Sequence, residues 1–163
     1  MEIERKFTVR NLPENLADYP CHKIEQAYLN TDPVVRIRRQ DDDYYLTYKG
    51  KGLLAREEYN LPLNRDSYYH LREKADGNVI SKKRYVIPIG HPTFTSDYSE
   101  NVDPNSLFVE LDLFDPPFAP LVIAEVEFPD EAAANAFLPL DWFDQDVTQD
   151  PSYHNSVLSR RTF

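Results

Sequence analysis

Charge falls on every second residue at the start of this chain. In "MEIERKFTVR" the side chains of Glu2, Glu4 and Lys6 share one face of an extended segment, and Ile3, Phe7 and Val9 share the other. Period-two alternation marks a β-strand, because successive side chains leave a strand on opposite sides. Related patterns predict strands over Glu2–Val9, Glu25–Leu29, Val34–Arg39, Tyr44–Lys49, Arg56–Leu63, Ile80–Ile87, Leu107–Phe114 and Leu121–Phe128. Helical patterns are fewer. Arg65–Ala75 is stopped by Asp76-Gly77, and the Ala-rich Glu131–Leu138 follows the start signal Pro129-Asp130. Weaker helical patterns cover Leu12–Asp18 and Asn155–Arg161, and residues 90–106 read as a long loop with room for one short strand. Many antiparallel-looking strands and few helices predict a mainly β (α+β) fold, a barrel or sandwich with helices packed outside.

Seven of these strands can be sorted by parity; the register of Glu25–Leu29 is not fixed by its pattern. One face carries the acids Glu2, Glu4, Glu58, Glu110, Asp112, Glu125 and Glu127 and the bases Lys6, Arg36, Arg38, Lys49, Arg56, Lys82 and Arg84, seven of each sign. The other face carries only Arg5, Arg39, Glu57 and Lys83 as charges, among residues such as Ile3, Phe7, Ile37, Leu111 and Val126. A solvated outer face is the ordinary explanation of such a pattern. Two features weigh against it. Surface positions tolerate Thr, Ser and Gln, yet charges here pair at i and i+2 in "EIERK", "RIR", "KKR", "ELD" and "EVE". The signs are also segregated, with most cations on the middle strands and the acids on the first and last two. If the sheet closes, the acids gather into one wall opposite the bases. Such a channel suits a polyanion bridged by a divalent cation: carboxylates supply hard oxygen ligands for Mg²⁺ or Mn²⁺, and Arg and Lys hold phosphates.

Composition narrows the classes. The 163 residues are most simply one domain spanning 1–163, long enough to bury a core. The net charge of −10 argues against duplex DNA as a partner, since phosphate repels a surface of that sign. No apolar run reaches membrane-spanning length, and the lone Cys21 has no partner for a disulfide, so a reducing cytoplasm is the expected compartment. There is no glycine-rich nucleotide loop of the Walker type. His22, His70, His91 and His154 are scattered without metal-ligand spacing, so no histidine site is predicted. Tyr44, Tyr45, Tyr48, Tyr59, Tyr85 and Trp142 read as packing residues.

The ordered set of charged motifs resembles the CYTH proteins, also called triphosphate tunnel metalloenzymes. "EIERK" matches their E-x-E-x-K signature at Glu2, Glu4 and Lys6. The likeness continues in order through "RIR" (Arg36, Arg38), "YLTYKG" (Lys49), "REEY" (Glu58), "KKRY" (Lys82, Arg84), "ELDLF" (Glu110, Asp112) and "EVEF" (Glu125, Glu127). The resemblance implies an eight-stranded antiparallel barrel forming a tunnel lined by acidic and basic side chains, with a few helices outside. It also implies chemistry on triphosphates with divalent cations. Small bacterial members resemble this chain as inorganic triphosphatases acting on tripolyphosphate. Three departures stand out. Asn60 occupies a position where some relatives carry glutamate, "YHN" (Tyr153–Asn155) lies where some carry a basic residue, and the loop 90–106 is long.

From this resemblance Glu2, Glu4 and Glu127 are expected as the main ligands of Mg²⁺ or Mn²⁺. Glu110, Asp112 and Glu125 are expected to complete the acidic wall, hold a second cation or orient the attacking water. Lys6, Arg36, Arg38, Lys49, Lys82 and Arg84 are expected to bind the triphosphate and offset charge on the transferred phosphoryl group, with Lys6 at the terminal phosphate. Glu58 is expected to hold an arginine in place within the substrate site. Arg39 and Lys83, of opposite parity, belong outside. The implied partner is inorganic triphosphate or another triphosphate-bearing small molecule, and a homodimer is open. Competing readings are thiamine triphosphatase, nucleoside or RNA triphosphatase, adenylate cyclase, and a non-catalytic polyphosphate-binding module.

Overall fold

The computed structural model describes residues 1–99 and 102–163. Its strands are β1 (Glu2–Val9), β2 (Cys21–Thr31), β3 (Val34–Gln40), β4 (Asp43–Lys49), β5 (Ala55–Arg56), β6 (Glu58–Leu63), β7 (Asp76–Pro88), β8 (Phe108–Phe114), β9 (Val122–Glu127) and β10 (Phe143–Asp146). Three helices accompany them: α1 (Arg65–Arg72), α2 (Glu131–Ala136) and α3 (Asn155–Leu158). The sheet is antiparallel in the order β10-β1-β9-β8-β7-β2-β3-β4-β6, and β5 pairs with β1. Strands β5 and β6 are one segment interrupted at Glu57. Its first part pairs Arg56 with Glu2 and Ala55 with Ile3, and its second part runs along β4 from Lys49↔Glu58 to Tyr44↔Leu63. Taken together they are the eighth stave, and the two-residue pairing with β1 brings the sheet almost to closure.

The parity of the strands decides which face turns inward. In β1 the charged Glu2, Glu4 and Lys6 are buried while the intervening Ile3 and Arg5 are only half-buried. In β7 Lys82 and Arg84 are buried and Lys83 between them is exposed. The charged face is therefore the inside of the barrel, and the apolar face packs outward under helices and loops. The main apolar core gathers Phe7, Val109, Leu111, Ala124 and Val126 beneath Ala133, Ala134, Phe137 and Phe143. Arg5 ties this layer together from the outer face: its guanidinium donates to the carbonyls of Ala134 at 3.0 Å and Phe137 at 2.6 Å and pairs with Asp146 at 2.8 Å. A second cluster, Tyr28, Val34, Ile80, Phe114 and Ile123 with Phe118 and Leu158, combines inner-face residues with α3 and so fills one end of the barrel interior.

Differences from the predicted elements have local causes. Helix α1 starts where expected, because Asn64 and Ser67 form a reciprocal capping box, but it ends at Arg72. Asp76-Gly77 opens β7 instead of merely stopping the helix, since pairing with β2 reaches back to Tyr28↔Asp76. Gly77 has φ +72°, and a Cβ there would lie 2.3 Å from the Ser159 carbonyl oxygen, so this glycine lets the C-terminal segment lie against β7. Helix α2 is capped by Asp130 and stops at Ala136, after which Phe137 turns extended and bridges to Phe94 in the long loop. Leu12–Asp18 contributes only a 3₁₀ turn over Leu16–Asp18, and α3 ends at Leu158. Strand β10, with a single apolar residue in "FDQD", was not predicted; it forms because the far half of β1 has a free edge, pairing Phe7↔Asp146 and Val9↔Phe143. No helix among the described residues is long and apolar enough to cross a membrane.

Candidate active site

The inner faces enclose a cavity of roughly 430 Å³. Its walls include Glu2, Glu4, Glu58, Glu110, Glu125 and Glu127 and also Lys6, Arg36, Arg38, Lys49, Arg56 and Arg84. Twelve of the fourteen charges placed on this face by parity thus meet in one space; Lys82 and Asp112 are not on its lining. The acids form a contiguous wall because β1, β9 and β8 are neighbours. Glu4 faces Glu127 across β1–β9, and Glu110 faces Glu125 across β8–β9. Like charges directly opposite in a sheet are destabilising. Their persistence here needs a compensating charge from elsewhere.

Lysines supply part of it. Lys49 lies 2.9 Å from Glu2 and 3.3 Å from Glu58, and Lys6 lies 3.8 Å from Glu4 and 3.7 Å from Glu125. Burial first, opposed by the Lys49 charge but reinforced by Glu58, leaves the Glu2 carboxyl above its ordinary range. Burial raises Glu58 in the same way, but hydrogen bonds from Glu2, Lys49 and Asn60 outweigh it and hold Glu58 at about 2. The two carboxyls are thus pushed in opposite directions. Glu4 is the least compensated. Burial, followed by the Glu125 and Glu2 carboxylates, pushes it up to about 8. Glu127 is raised as well, by burial and by Glu110 and Glu58. Glu125 is also buried, yet Lys6, Arg84 and Lys82 hold it well below the usual range.

This wall fits a hard divalent cation. Its donors are carboxylate oxygens, and Glu4 and Glu127 oppose each other with no hydrogen-bond donor of their own among the described residues. No three carboxylate, thiol or imidazole groups there converge tightly enough to enclose an ion unaided. That suits a cation such as Mg²⁺, which keeps most of its waters and takes one or two protein carboxylates.

The cations fall into two kinds. Arg84 grips Asp112 through Nε at 2.7 Å and Nη2 at 2.8 Å, and also donates to Glu110 at 3.0 Å. Lys82 lies 2.7 Å from Asp112, with both side chains fully buried. Asp112 accordingly departs from its expected place among the metal ligands: both of its oxygens are occupied by cations, and it does not reach the cavity. Lys82 likewise stands behind the lining instead of on it. By contrast, Arg36 and Arg38 pair with no carboxylate among the described residues. Arg36 donates to Thr47 at 3.1 Å, and its Nε is a buried side-chain nitrogen without any partner. Arg38 donates twice to the Gln26 oxygen, at 2.9 and 2.6 Å. Glu58, expected to hold an arginine, braces Lys49 and no arginine among the described residues.

The family model for the CYTH domain matches residues 1–138. The chain belongs to the CYTH family. It is 35% identical over 161 residues to an inorganic triphosphatase of Nitrosomonas europaea, covering 97% of this chain and 96% of that one. An inorganic triphosphatase of Acetivibrio thermocellus is 33% identical over 166 residues, covering 99% and 95%. A crystal structure of an inorganic triphosphatase superposes with a TM-score of 0.66 at 31% identity, over 99% of this chain and 96% of that one. A conserved protein of Pyrococcus furiosus shares the fold alone, with a TM-score of 0.54 at 17% identity.

Several residues of this CYTH cavity carry no signal in the charge pattern. Tyr45, predicted as packing, lines the cavity, where its hydroxyl lies 3.5 Å from Arg38 and donates to Gln40. His154, Asn155 and Ser156 line it from the C-terminal segment, beyond the span that the family model matches. Burial, then Lys6, Arg56 and Lys49, press His154 down to about 4, so its imidazole is neutral at physiological pH. Asn155 accepts from Lys82 at 3.3 Å. These residues reach the cavity because α3 closes on the barrel, at the place where the family resemblance marks "YHN" as a departure.

Proposed function

We propose that this protein hydrolyses inorganic triphosphate to pyrophosphate and orthophosphate, with Mg²⁺ or Mn²⁺, inside the barrel cavity. The observation that carries this reading is the unequal pairing of the cavity charges. Arg36 and Arg38, which meet no carboxylate among the described residues, face a wall of carboxylates with too few cations, and a metal-bearing polyphosphate completes both. The full-length likeness to inorganic triphosphatases supports the same choice of substrate. Pure phosphate binding needs the bases but gains nothing from Glu4 opposite Glu127.

Glu2, Glu4 and Glu127 would hold the cation from β1 and β9, one or two of them directly and the rest through its waters. When bound, it would neutralise phosphate oxygens and make the terminal phosphorus more electrophilic. Arg36, Arg38, Lys49 and Arg84 lay out the phosphate chain, and Lys6 meets the terminal phosphate beside Glu125. Glu125, held ionised, accepts a hydrogen bond from the attacking water and orients it. The water oxygen bonds to the terminal phosphorus in line with the breaking bridge bond, pyrophosphate leaves, and one water proton is released. Lys82 and Asp112 act from behind, fixing Arg84, and Glu110 and Glu58 brace Arg84 and Lys49.

A phosphate-release panel tests the proposal. Tripolyphosphate, ATP, thiamine triphosphate and pyrophosphate are compared at one free Mg²⁺ concentration and again with Mn²⁺. Tripolyphosphate is expected to lead in kcat/KM and pyrophosphate to lag, because a two-phosphate chain cannot reach both the acidic wall and Arg36–Arg38. A clear preference for ATP, or cyclic AMP as the main product, overturns it.

A further inference from the structure

Arg38 and Arg84 lie on the same inner face and are held in opposite ways. Arg84 is clasped by the carboxylate of Asp112 through two hydrogen bonds, so its charge is met within the protein. Arg38 is clasped by Gln26, its cross-strand partner on β2, with Nε and Nη2 both donating to one oxygen. Gln26 has 0% of its surface exposed, and its amide nitrogen donates to the Tyr28 hydroxyl at 3.3 Å. The other hydrogen-bonding groups beside Arg38 and its neighbour Arg36 are also neutral. Tyr45 and Gln40 stand beside Arg38, and Thr47, itself donating to Asn60 at 2.6 Å, stands beside Arg36.

A carboxylate would fit at position 26. Glu and Gln are nearly isosteric, and a guanidinium fork binds carboxylate more strongly than amide. Two neighbouring buried guanidiniums that pair with no carboxylate among the described residues are costly, and an anion from outside relieves them. Burial, then Arg36 and Arg84, accordingly hold Arg38 below the usual arginine range. We propose that Gln26 is a positioning residue for anion binding: it fixes the guanidinium of Arg38 in place while leaving its charge for a phosphate group of the ligand. The identity of that ligand rests on the triphosphatase reading; the role of Gln26 does not.

The test uses metal-free full-length protein, with orthophosphate, pyrophosphate and tripolyphosphate as probes, read by calorimetry at several salt concentrations and by thermal unfolding. Gln26→Glu is expected to fold with a melting temperature at or above wild type, because an ion pair replaces an amide contact. It is expected to lose about tenfold or more in tripolyphosphate affinity, with a shallower salt dependence, because the charge of Arg38 is spent internally. Gln26→Met keeps the charge and removes the clasp. Its affinity is expected to fall with the salt dependence unchanged, which separates alignment from charge even if the glutamate variant fails to fold. Binding within about twofold of wild type in both variants makes Gln26 a packing residue and overturns the proposal. A wild type that binds these anions but does not hydrolyse tripolyphosphate once Mg²⁺ or Mn²⁺ is added overturns the triphosphatase reading, while the variants still decide Gln26. A wild type that binds none of them, with or without Mg²⁺, overturns both.

Discussion

Replacing Asp112 by Asn separates a structural carboxylate from a metal ligand. The side chain is fully buried and meets Lys82 at 2.7 Å and Arg84 at 2.7 and 2.8 Å, so the change strips the main counter-charge from two buried cations. Breaking a buried ion pair from one side costs roughly 3–5 kcal/mol. Asn keeps one acceptor, and Arg84 retains Glu110 at 3.0 Å and Glu125 at 3.7 Å. The lower end of the range, about 3 kcal/mol, is therefore expected. For a chain of this size that is a loss of about 6–12 °C in Tm. Lys82→Met added to Asp112→Asn removes one stranded cation and should recover a large part of the loss. The assay is thermal unfolding of the metal-free proteins beside Mg²⁺ titration at fixed temperature. If Asp112→Asn melts within about 2 °C of wild type yet binds Mg²⁺ about tenfold more weakly, the reasoning fails and Asp112 is a ligand after all.

Glu4→Gln should abolish turnover and leave the fold intact. Because the folded protein keeps the Glu4 proton up to about 8, against 4.5 ordinarily, wild-type stability without metal falls as pH rises between those values; the variant should escape that fall and melt at or above wild type at pH 8. Turnover within about twofold of wild type at saturating Mg²⁺ rules Glu4 out as a ligand. Arg36→Ala and Arg38→Ala should each lower kcat/KM for tripolyphosphate by about tenfold or more, the worth of a charge-assisted contact of roughly 1.5–3 kcal/mol, with Mg²⁺ affinity retained; unchanged kinetics in both refute their role. His154, pressed down to about 4 while the unfolded chain protonates near 6.5, should make stability fall as pH drops through that interval. Its NMR titration midpoint should rise when tripolyphosphate offsets Lys6, Arg56 and Lys49, and a midpoint indifferent to the anion places the ligand elsewhere.

Much of the barrel was legible because charge and strand period coincide. Glu2, Glu4 and Lys6 announce both a strand and its functional face, and the same holds for Arg36 and Arg38 or Glu125 and Glu127. The eight predicted strands correspond to the staves of the observed barrel, with Arg56–Leu63 split at Glu57. Elements that depend on a distant partner were not legible. Strand β10 exists because β1 has an edge to cover, and β7 begins four residues earlier than the Ile80 of the pattern, at Asp76, because β2 extends to meet it. The division of labour among like residues was equally hidden. Nothing in "KKRY" or "ELDLF" says that Lys82 and Asp112 satisfy each other behind the lining while Arg84 reaches through to it.

The neutral residues of the site carry the deeper reason for that hiddenness. A charge pattern reveals where ionic groups stand but not which of them are already answered, and the cavity works through the difference. Arg84 and Arg38 look alike in "KKRY" and "RIR", yet one faces Asp112 and the other Gln26. A polar amide on a strand is unremarkable in a sequence, and Gln26 lies in the one strand whose register the pattern left open. Its meaning comes from the register that sets it opposite Arg38 and from the low-dielectric surroundings that make an unanswered charge expensive. On the proposed reading, the arginines without a carboxylate among the described residues and the crowded acids are two halves of one deficit, which a phosphate chain and its cation would fill together.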